Sequence, residues 1–430
     1  MNHVIVREHA RLTTDAAPND LDCHAITQSA FDHLLRLAAG FRKSGVPLVQ
    51  LESGTALKMD NYVGVVETPC GTVIEILPKH VDTKNSAEAS RTLLVKMLGA
   101  VLRVPPRQTG TADIQLLRRP VTEWVMRQFV LALDQLVKRG IRSDYVRVED
   151  EQRYLRGQLD LARQVQQPPA RQHWFRLRHD VYSPDRAENR LLKLAVVQVR
   201  MRTRDAMTWR LSNELEVLLA DIAPATDVAQ DFGRWRTDRL MAHYAGVRPW
   251  CELVLGNEMP MTQLGRYHGM SLLFPMERLF EDYFAVRLER RLAAGVRMKR
   301  QTSSRSLCRH DGGYMFQLQP DVLLSGPSQQ RWVLDTKWKR VDAANKANQY
   351  GLSQSDFYQL HAYGQAYLEG AGDLFLVFPK TAQFSVALPA FHYSDALRLH
   401  AVPFDLDTDE LELEGAPFLA TAELEPRLSG

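Results

Sequence analysis

What the chain has little of narrows the field before any motif is read. No stretch of its 430 residues approaches the roughly 18 uninterrupted apolar residues of a spanning helix, so no membrane crossing is expected. Only four cysteines are present, Cys23, Cys70, Cys251 and Cys308, far apart and without a Cys-x-x-Cys pair. That spacing argues against a zinc site or an iron–sulfur cluster and fits a reducing compartment. There is no GxxxxGK[ST] loop, so the chain shows no nucleotide site of its own. No helix-turn-helix or zinc-finger pattern is there to read bases, and there are no repeats or low-complexity tracts. The opening MNHVIVREHARLTTD carries charge where a signal peptide needs its apolar core, so the expected location is cytoplasmic. Net charge is only +3 and decides nothing by itself.

What is present is ordinary in amount and uneven in placement. An apolar content of 45% and a charged content of 24% suit a globular protein, and 430 residues exceed one hydrophobic core. Between positions 287 and 309 stand Arg287, Arg290, Arg291, Arg297, Lys299, Arg300, Arg305 and Arg309, opposed by Glu289 alone. A second basic stretch runs over 171–210, and the segment 405–425 is acidic. Charge runs are usually solvated faces, yet the first is suited to gripping phosphates without reading sequence.

Apolar spacing predicts helices over 28–43, 87–103, 121–139, 185–206 and 211–222. Short β-like runs fall at 48–51, 62–67 and 72–77, the last two joined through Thr68-Pro69-Cys70-Gly71 as a hairpin. Segment 144–161 reads as extended, and a boundary is expected near 265. Beyond it a helix begins at Pro275, followed by β-like runs at 314–324 and 331–338 around the turn Ser325-Gly326-Pro327-Ser328. A helix at 355–369 and a strand at 373–378 complete an α/β order.

Chemistry concentrates in that last unit. Side chains alternate along a strand, so Asp335 and Lys337 point one way and Thr336 the other. If the two runs pair, Asp321 lies beside Asp335, and both are flanked by Val and Leu. Two carboxylates and an amine at the end of buried strands are costly to desolvate. A divalent cation, Mg²⁺, resolves that cost, because carboxylate oxygens are its preferred ligands. Asp321 and Asp335 would be metal ligands, with Lys337 acting on water or on developing charge. Glu277 and Glu281 offer one more carboxylate for metal or support, Glu281 being the better placed. An Asp-x-Lys triplet alone is most often a surface ion pair; the joint order, ending in a helix with Gln359, is what points to catalysis.

The order Glu281, Pro320-Asp321, Asp335-Thr336-Lys337, Gln359 resembles the PD-(D/E)xK nuclease superfamily. More narrowly the chain resembles the McrC subunit of McrBC-type restriction systems, which cut DNA containing modified cytosine. Further matching segments are Asn61-Tyr62-Val63-Gly64-Val65, Ile74-Glu75-Ile76-Leu77-Pro78-Lys79, Leu155-Arg156-Gly157-Gln158-Leu159-Asp160 and Glu188-Asn189-Arg190-Leu191-Leu192-Lys193. In the last third they are Leu279-Phe280-Glu281, Gln319-Pro320-Asp321 and Asp356-Phe357-Tyr358-Gln359-Leu360.

The resemblance implies a mixed α/β chain. Its expected parts are an N-terminal partner-binding region over 1–165, β-hairpin-rich at 45–80 with helices, a helical middle over 166–265, and a PD-(D/E)xK restriction-endonuclease-like domain over 266–430. It implies DNA as substrate, Mg²⁺ as cofactor and an AAA+ GTPase oligomer of the McrB type as partner. The hairpin at 63–77 is the candidate for that partner contact, and Gln359 is expected to support the site, with Asp356 or Tyr358 orienting its helix. Two other readings stay open: a non-catalytic adaptor that activates an AAA+ motor, and a stand-alone nuclease of repair or mobile-element biology.

Overall fold

The computed structural model describes residues 3–41, 47–79, 87–103, 119–256, 271–413 and 415–420. Contacts divide the chain into one discontinuous unit, 1–118 with 273–430, and one continuous unit, 119–272.

In the discontinuous unit β1 (His3–Arg7) runs parallel to β3 (Val73–Leu77). Antiparallel to β3 lies β2 (Tyr62–Glu67), in the register Gly64↔Ile76 to Glu67↔Val73. The predicted 68–71 turn joins them, with Gly71 at φ 79° and its N–H donating to Thr68 O. Val63, Val65, Val66, Ile74 and Ile76 are sealed in the interior. The 63–77 hairpin therefore spends these side chains on the core, because apolar residues on successive positions bury both faces of a strand pair.

Helix α1 (Ala87–Val101) packs on β3 and on the later helix α2 (Met276–Glu289). Strand β4 (Leu272–Pro275) extends the same sheet beside β2, giving the order β1-β3-β2-β4. Asn61 O accepts from Met276 N at 2.9 Å, and Glu8 Oε1 accepts from Trp338 Nε1 at 2.8 Å. These links explain why contacts group the first hundred residues with the last hundred and fifty, rather than following the expected cuts at 165 and 265. Position 265 itself lies outside the described residues.

The central sheet follows α2. Its strands are β5 (Arg297–Arg300), β8 (Val322–Ser325), β9 (Arg331–Thr336), β10 (Gly372–Pro379) and β11 (Leu397–Asp405), hydrogen-bonded in that order. β5, β8 and β9 alternate antiparallel; β9, β10 and β11 are parallel. Parallel neighbours need a crossover, and α3 (Gln354–Leu368) supplies it between β9 and β10. On one face α3 buries Leu360, Tyr363 and Tyr367 against Leu323, Val333, Leu374 and Leu399. On the other, Phe280 of α2 lies tilted 5.3 Å from Trp338 and Phe284 sits 5.1 Å from Phe404. The architecture is mixed α/β with several sheets.

The run expected at 314–324 is two elements. Pro320 has no N–H to give a ladder, so pairing stops there. Only β8 joins the sheet, while β7 (Gly313–Leu318) pairs with β6 (Arg305–His310) in a separate ribbon.

The continuous unit holds the predicted helix Val121–Arg139 and a ribbon of Asp144–Gln152 against Phe175–Ser183. Helices Ala187–Arg202 and Ala206–Leu218 follow. Asn189 is tied three ways: its Nδ2 donates to Arg142 O and Pro184 O, and its Oδ1 accepts from Tyr244 Oη at 2.7 Å. Gly157, at φ 71°, lies where an added Cβ would stand 2.5 Å from Arg178 O and 2.6 Å from His179 Cβ. Positive φ and backbone contact together demand glycine. Gly157→Ala is expected to cost about 2 to 3 kcal/mol of this unit's stability. Urea unfolding followed by tryptophan fluorescence checks it; a loss below about 0.5 kcal/mol contradicts the argument.

Candidate active site

The β8–β9 register, Val322↔Leu334 to Ser325↔Arg331, continues one step to set Asp321 opposite Asp335. Asp335 lies on β9 between Leu334 and Thr336 and is 1% exposed. Asp321 is fixed by its neighbour across the pair: its Oδ2 accepts from Thr336 N at 2.7 Å and from Thr336 Oγ1 at 2.8 Å. Thr336 thus uses both of its donors on one carboxylate oxygen and sets that carboxylate's angle.

Lys337 Nζ lies 2.5 Å from Asp335 Oδ2, and that oxygen has no hydrogen bond of good geometry. The lysine's backbone N still donates to Val377 O on β10, so the side chain leaves from a fixed point. Gln359 Oε1 accepts from Lys337 Nζ at 3.1 Å. Gln359 Nε2 in turn donates to Tyr363 Oη at 2.7 Å, one helical turn along α3, and Tyr363 Oη donates to Gln319 O. Donation thereby runs from the lysine through two residues of α3 to the Gln319 carbonyl.

Glu281 is half-buried on α2 while Glu277 is exposed, so the structure brings Glu281 toward the acids and leaves Glu277 out. Gln301 Nε2 donates to Glu281 Oε1 at 2.8 Å, and Gln301 N donates to Asp321 O at 3.0 Å. Asp356 is buried and accepts from Lys339 Nζ at 2.9 Å; Tyr358 faces solvent. Asp356, rather than Tyr358, is the residue turned to this side of α3.

Electrostatics record the crowding. Burial, then the Asp321 charge, pushes Asp335 up to about 7. Burial, then Asp321, also pushes Glu281 up to about 7. Burial raises Asp321 as well, against the two hydrogen bonds from Thr336. For Lys337 burial opposes the charge, but Asp335 and Asp321 outweigh it and its pKa is raised. Three acids that resist ionising around one retained ammonium make a site short of positive charge.

Sequence reasoning missed Thr336, Gln301 and Tyr363. Thr336 was legible only as the residue between Asp335 and Lys337, and Tyr363 only as the i+4 neighbour of Gln359. Gln301 carried no signal. The basic cluster also sorts itself: Arg287 pairs with Asp409, Arg291 with Glu410 and Arg300 with Asp282, whereas Arg309 stacks on Tyr314. Trp332 and Trp338 are packed against Phe418 and Phe280.

Among the described residues no group of three His, Cys, Asp or Glu is placed to hold a metal ion, and no helix is long and apolar enough to cross a membrane.

As a class, this is a mixed α/β protein whose central sheet gathers carboxylates and a lysine where its antiparallel and parallel halves meet. The family described as McrBC 5-methylcytosine restriction system component matches residues 57–379, and the chain belongs to it. Two solved structures share the fold. One is a chain in a refined half-complex of a tetradecameric assembly of Thermococcus gammatolerans McrB AAA+ hexamers with bound McrC. It has 19% identity and TM-score 0.68, covering 94% of this chain and 95% of that one. The other is in a cryo-EM structure of the Thermococcus gammatolerans McrBC complex, with 21% identity and TM-score 0.51, covering 67% of this chain and 88% of that one. No curated protein matches.

Proposed function

We propose that this chain is the Mg²⁺-dependent DNA endonuclease subunit, McrC-like, of a modification-dependent restriction complex, with a PD-(D/E)xK site in its central sheet. The single observation that carries the reading is Asp321 opposite Asp335, with Lys337 on the second acid and Gln359 on the lysine. Family membership and a fold shared with a structure of McrB hexamers with bound McrC support an AAA+ GTPase partner of the McrB type.

Mg²⁺ takes one or two carboxylates and keeps its waters, so Asp321 and Asp335 suffice as its donors. The fit rests on Asp335 Oδ2, a buried oxygen whose near charged neighbour is an ammonium and which lacks a well-formed hydrogen bond. Glu281 adds a third carboxylate at the rim. When bound, the ion would lower the pKa of a water and offset phosphate charge. Thr336 keeps Asp321 aimed. Lys337, held by Gln359 and kept protonated by its acids, faces the negative charge that grows on the scissile phosphate.

The test is linearisation of plasmid DNA bearing 5-methylcytosine, with GTP, Mg²⁺ and the McrB-type partner. Cleavage by the chain alone, without partner or modification, would favour a stand-alone nuclease; none under any combination would leave an adaptor.

A metal-linked pH effect follows. Asp335 and Glu281 have folded pKa values near 7, above their ordinary values of 3.8 and 4.5. Raised carboxylates favour the folded state at low pH, and that contribution is lost as pH rises through about 7. Mg²⁺ requires the ionised acids, so it restores stability only above that range. Saturating Mg²⁺ should raise the melting temperature by about 3 to 8 °C near pH 8, and by less than about 1 °C near pH 5.5. Equal shifts at both pH values would contradict the carboxylate assignment.

A further inference from the structure

Residues 302–320 leave the central sheet and return to it, and both roots of the excursion touch the acidic cluster. One root is Gln301, which bonds Asp321 and Glu281; the other is Gln319, whose carbonyl is held by Tyr363. Between them β6 and β7 pair from Arg305↔Leu318 to His310↔Gly313, closed by Asp311 and Gly312 at positive φ. Six residues on each strand give a ribbon about 20 Å long. It is fastened at its base: Leu318 packs against the α3 core, and Tyr367 Oη lies 2.9 Å from Thr302 O and 2.8 Å from Leu318 O.

Past that base the ribbon is exposed, with a composition unlike that of a simple connector. Leu307, Tyr314, Met315 and Phe316 are 58%, 69%, 43% and 67% exposed. Phe316 sits at φ 58°, a strained setting for a bulky residue. In register Cys308 lies across from Met315, and Arg309 from Tyr314 with its guanidinium 4.4 Å from the ring centre. Arg305, and on the adjoining β5 Arg297 and Lys299, form no ion pair among the described residues, in contrast to Arg287, Arg291 and Arg300 nearby. An exposed apolar patch rimmed by unneutralised cations marks a surface for a partner that is both anionic and stackable. A second copy is a poor occupant, because a twofold contact would set the same arginines against each other.

We propose that the β6–β7 ribbon enters the major groove of duplex DNA beside the cleavage site. Arg305, Arg297 and Lys299 meet backbone phosphates, and Leu307 and Phe316 lie against base edges. The major groove is wide enough for a two-stranded ribbon, and phosphate contacts carry most of the affinity. Placed this way, the groove contact seats a phosphate at the acids on which the ribbon is rooted. The idea rests on the nuclease reading and names how that site holds its substrate.

Anisotropy of a labelled, unmodified duplex of about 30 base pairs, bound by the full chain with Ca²⁺ replacing Mg²⁺ across a salt series, tests it. Arg297→Ala with Arg305→Ala should weaken binding about tenfold or more and lower the slope of log K against log salt by about two. Phe316→Ala should weaken binding about fivefold with the slope unchanged. Unaltered melting temperatures show that the exposed variants fold. Parent-like affinity and slope in the double variant would overturn the proposal, as would no binding by the parent chain. So would variants that dissociate a dimer in sedimentation while binding DNA normally. Cleavage that survives loss of Asp335 would sink the active-site assignment and leave the ribbon result standing. Loss of cleavage on Asp335→Asn alongside parent-like ribbon variants would sink the ribbon alone.

Discussion

Asp335→Asn is expected to reduce DNA cleavage at least about 10³-fold while raising the melting temperature of the metal-free protein. The first effect follows from removing a donor oxygen and the charge that holds Lys337 at 2.5 Å. The second follows from burial. Asp335 is 1% exposed and is pushed up to about 7 by desolvation and then by Asp321. Near pH 8 its ionised form opposes folding, whereas an amide of the same shape imitates the protonated acid. The gain in melting temperature should therefore be largest near pH 8, fall to about half near pH 5.5, and vanish only below the ordinary carboxylate range, where the folded and unfolded acid are both protonated. Cleavage assays with the GTPase partner and paired thermal melts check both halves. A variant retaining more than about a tenth of the cleavage rate would remove Asp335 from the catalytic set. A variant no more stable than the parent near pH 8 would refute the crowding argument.

Arg91→Ala is expected to cost about 3 to 5 kcal/mol of stability in the discontinuous unit. Glu75 on β3 is fully buried, and Arg91 on α1 grips it with two bonds, Nε to Oε1 at 2.8 Å and a terminal nitrogen to Oε2 at 2.6 Å. His3 Nε2 stands 3.5 Å from the same carboxylate. Burial alone would raise Glu75, but Arg91 and His3 outweigh it and its pKa is lowered. The pair therefore stabilises above the ordinary carboxylate pKa and is lost as pH falls through the lower folded value. Without Arg91 the buried charge loses its bidentate partner, so the deficit should shrink near pH 5 as Glu75 takes up a proton. Adding Glu75→Gln should recover part of the loss. Denaturant unfolding of the single and double variants measures this, and a cost below about 1 kcal/mol would show the pair to be dispensable.

The sequence made the site more legible than the frame around it. Asp321, Asp335, Lys337, Glu281 and Gln359 are brought together because strand alternation and a short turn act locally, and those rules can be applied to a string of residues. Thr336 escaped because alternation turns it away from Asp335, and its bonds to the Asp321 carboxylate form at the strand end, where Asp321 lies just outside β8. Strand β11 and the ribbon strand β6 went unread. RSLCRH has neither the β-branched content nor the apolar alternation that marks a strand, being stabilised by its partner rather than by a core. The apolar residues on both sides of Gln319-Pro320 read as one run over 314–324, and the missing N–H of Pro320 divides it in two. The grouping of 1–118 with 273–430 depends on pairings such as Glu8 with Trp338, hundreds of residues apart, and periodicity has no access to those.

That interleaving has a consequence for synthesis. Residues 119–272 are contiguous and can close while the chain is still being made, whereas the opening sheet must wait for β4 and α2 to emerge. Asp321 and Asp335 emerge later still, so a ribosome-bound or truncated product lacks the assembled cluster. Vectorial folding thus defers assembly of this cluster until β9 has emerged, and a fragment begun at 273 lacks α1, against which α2 packs.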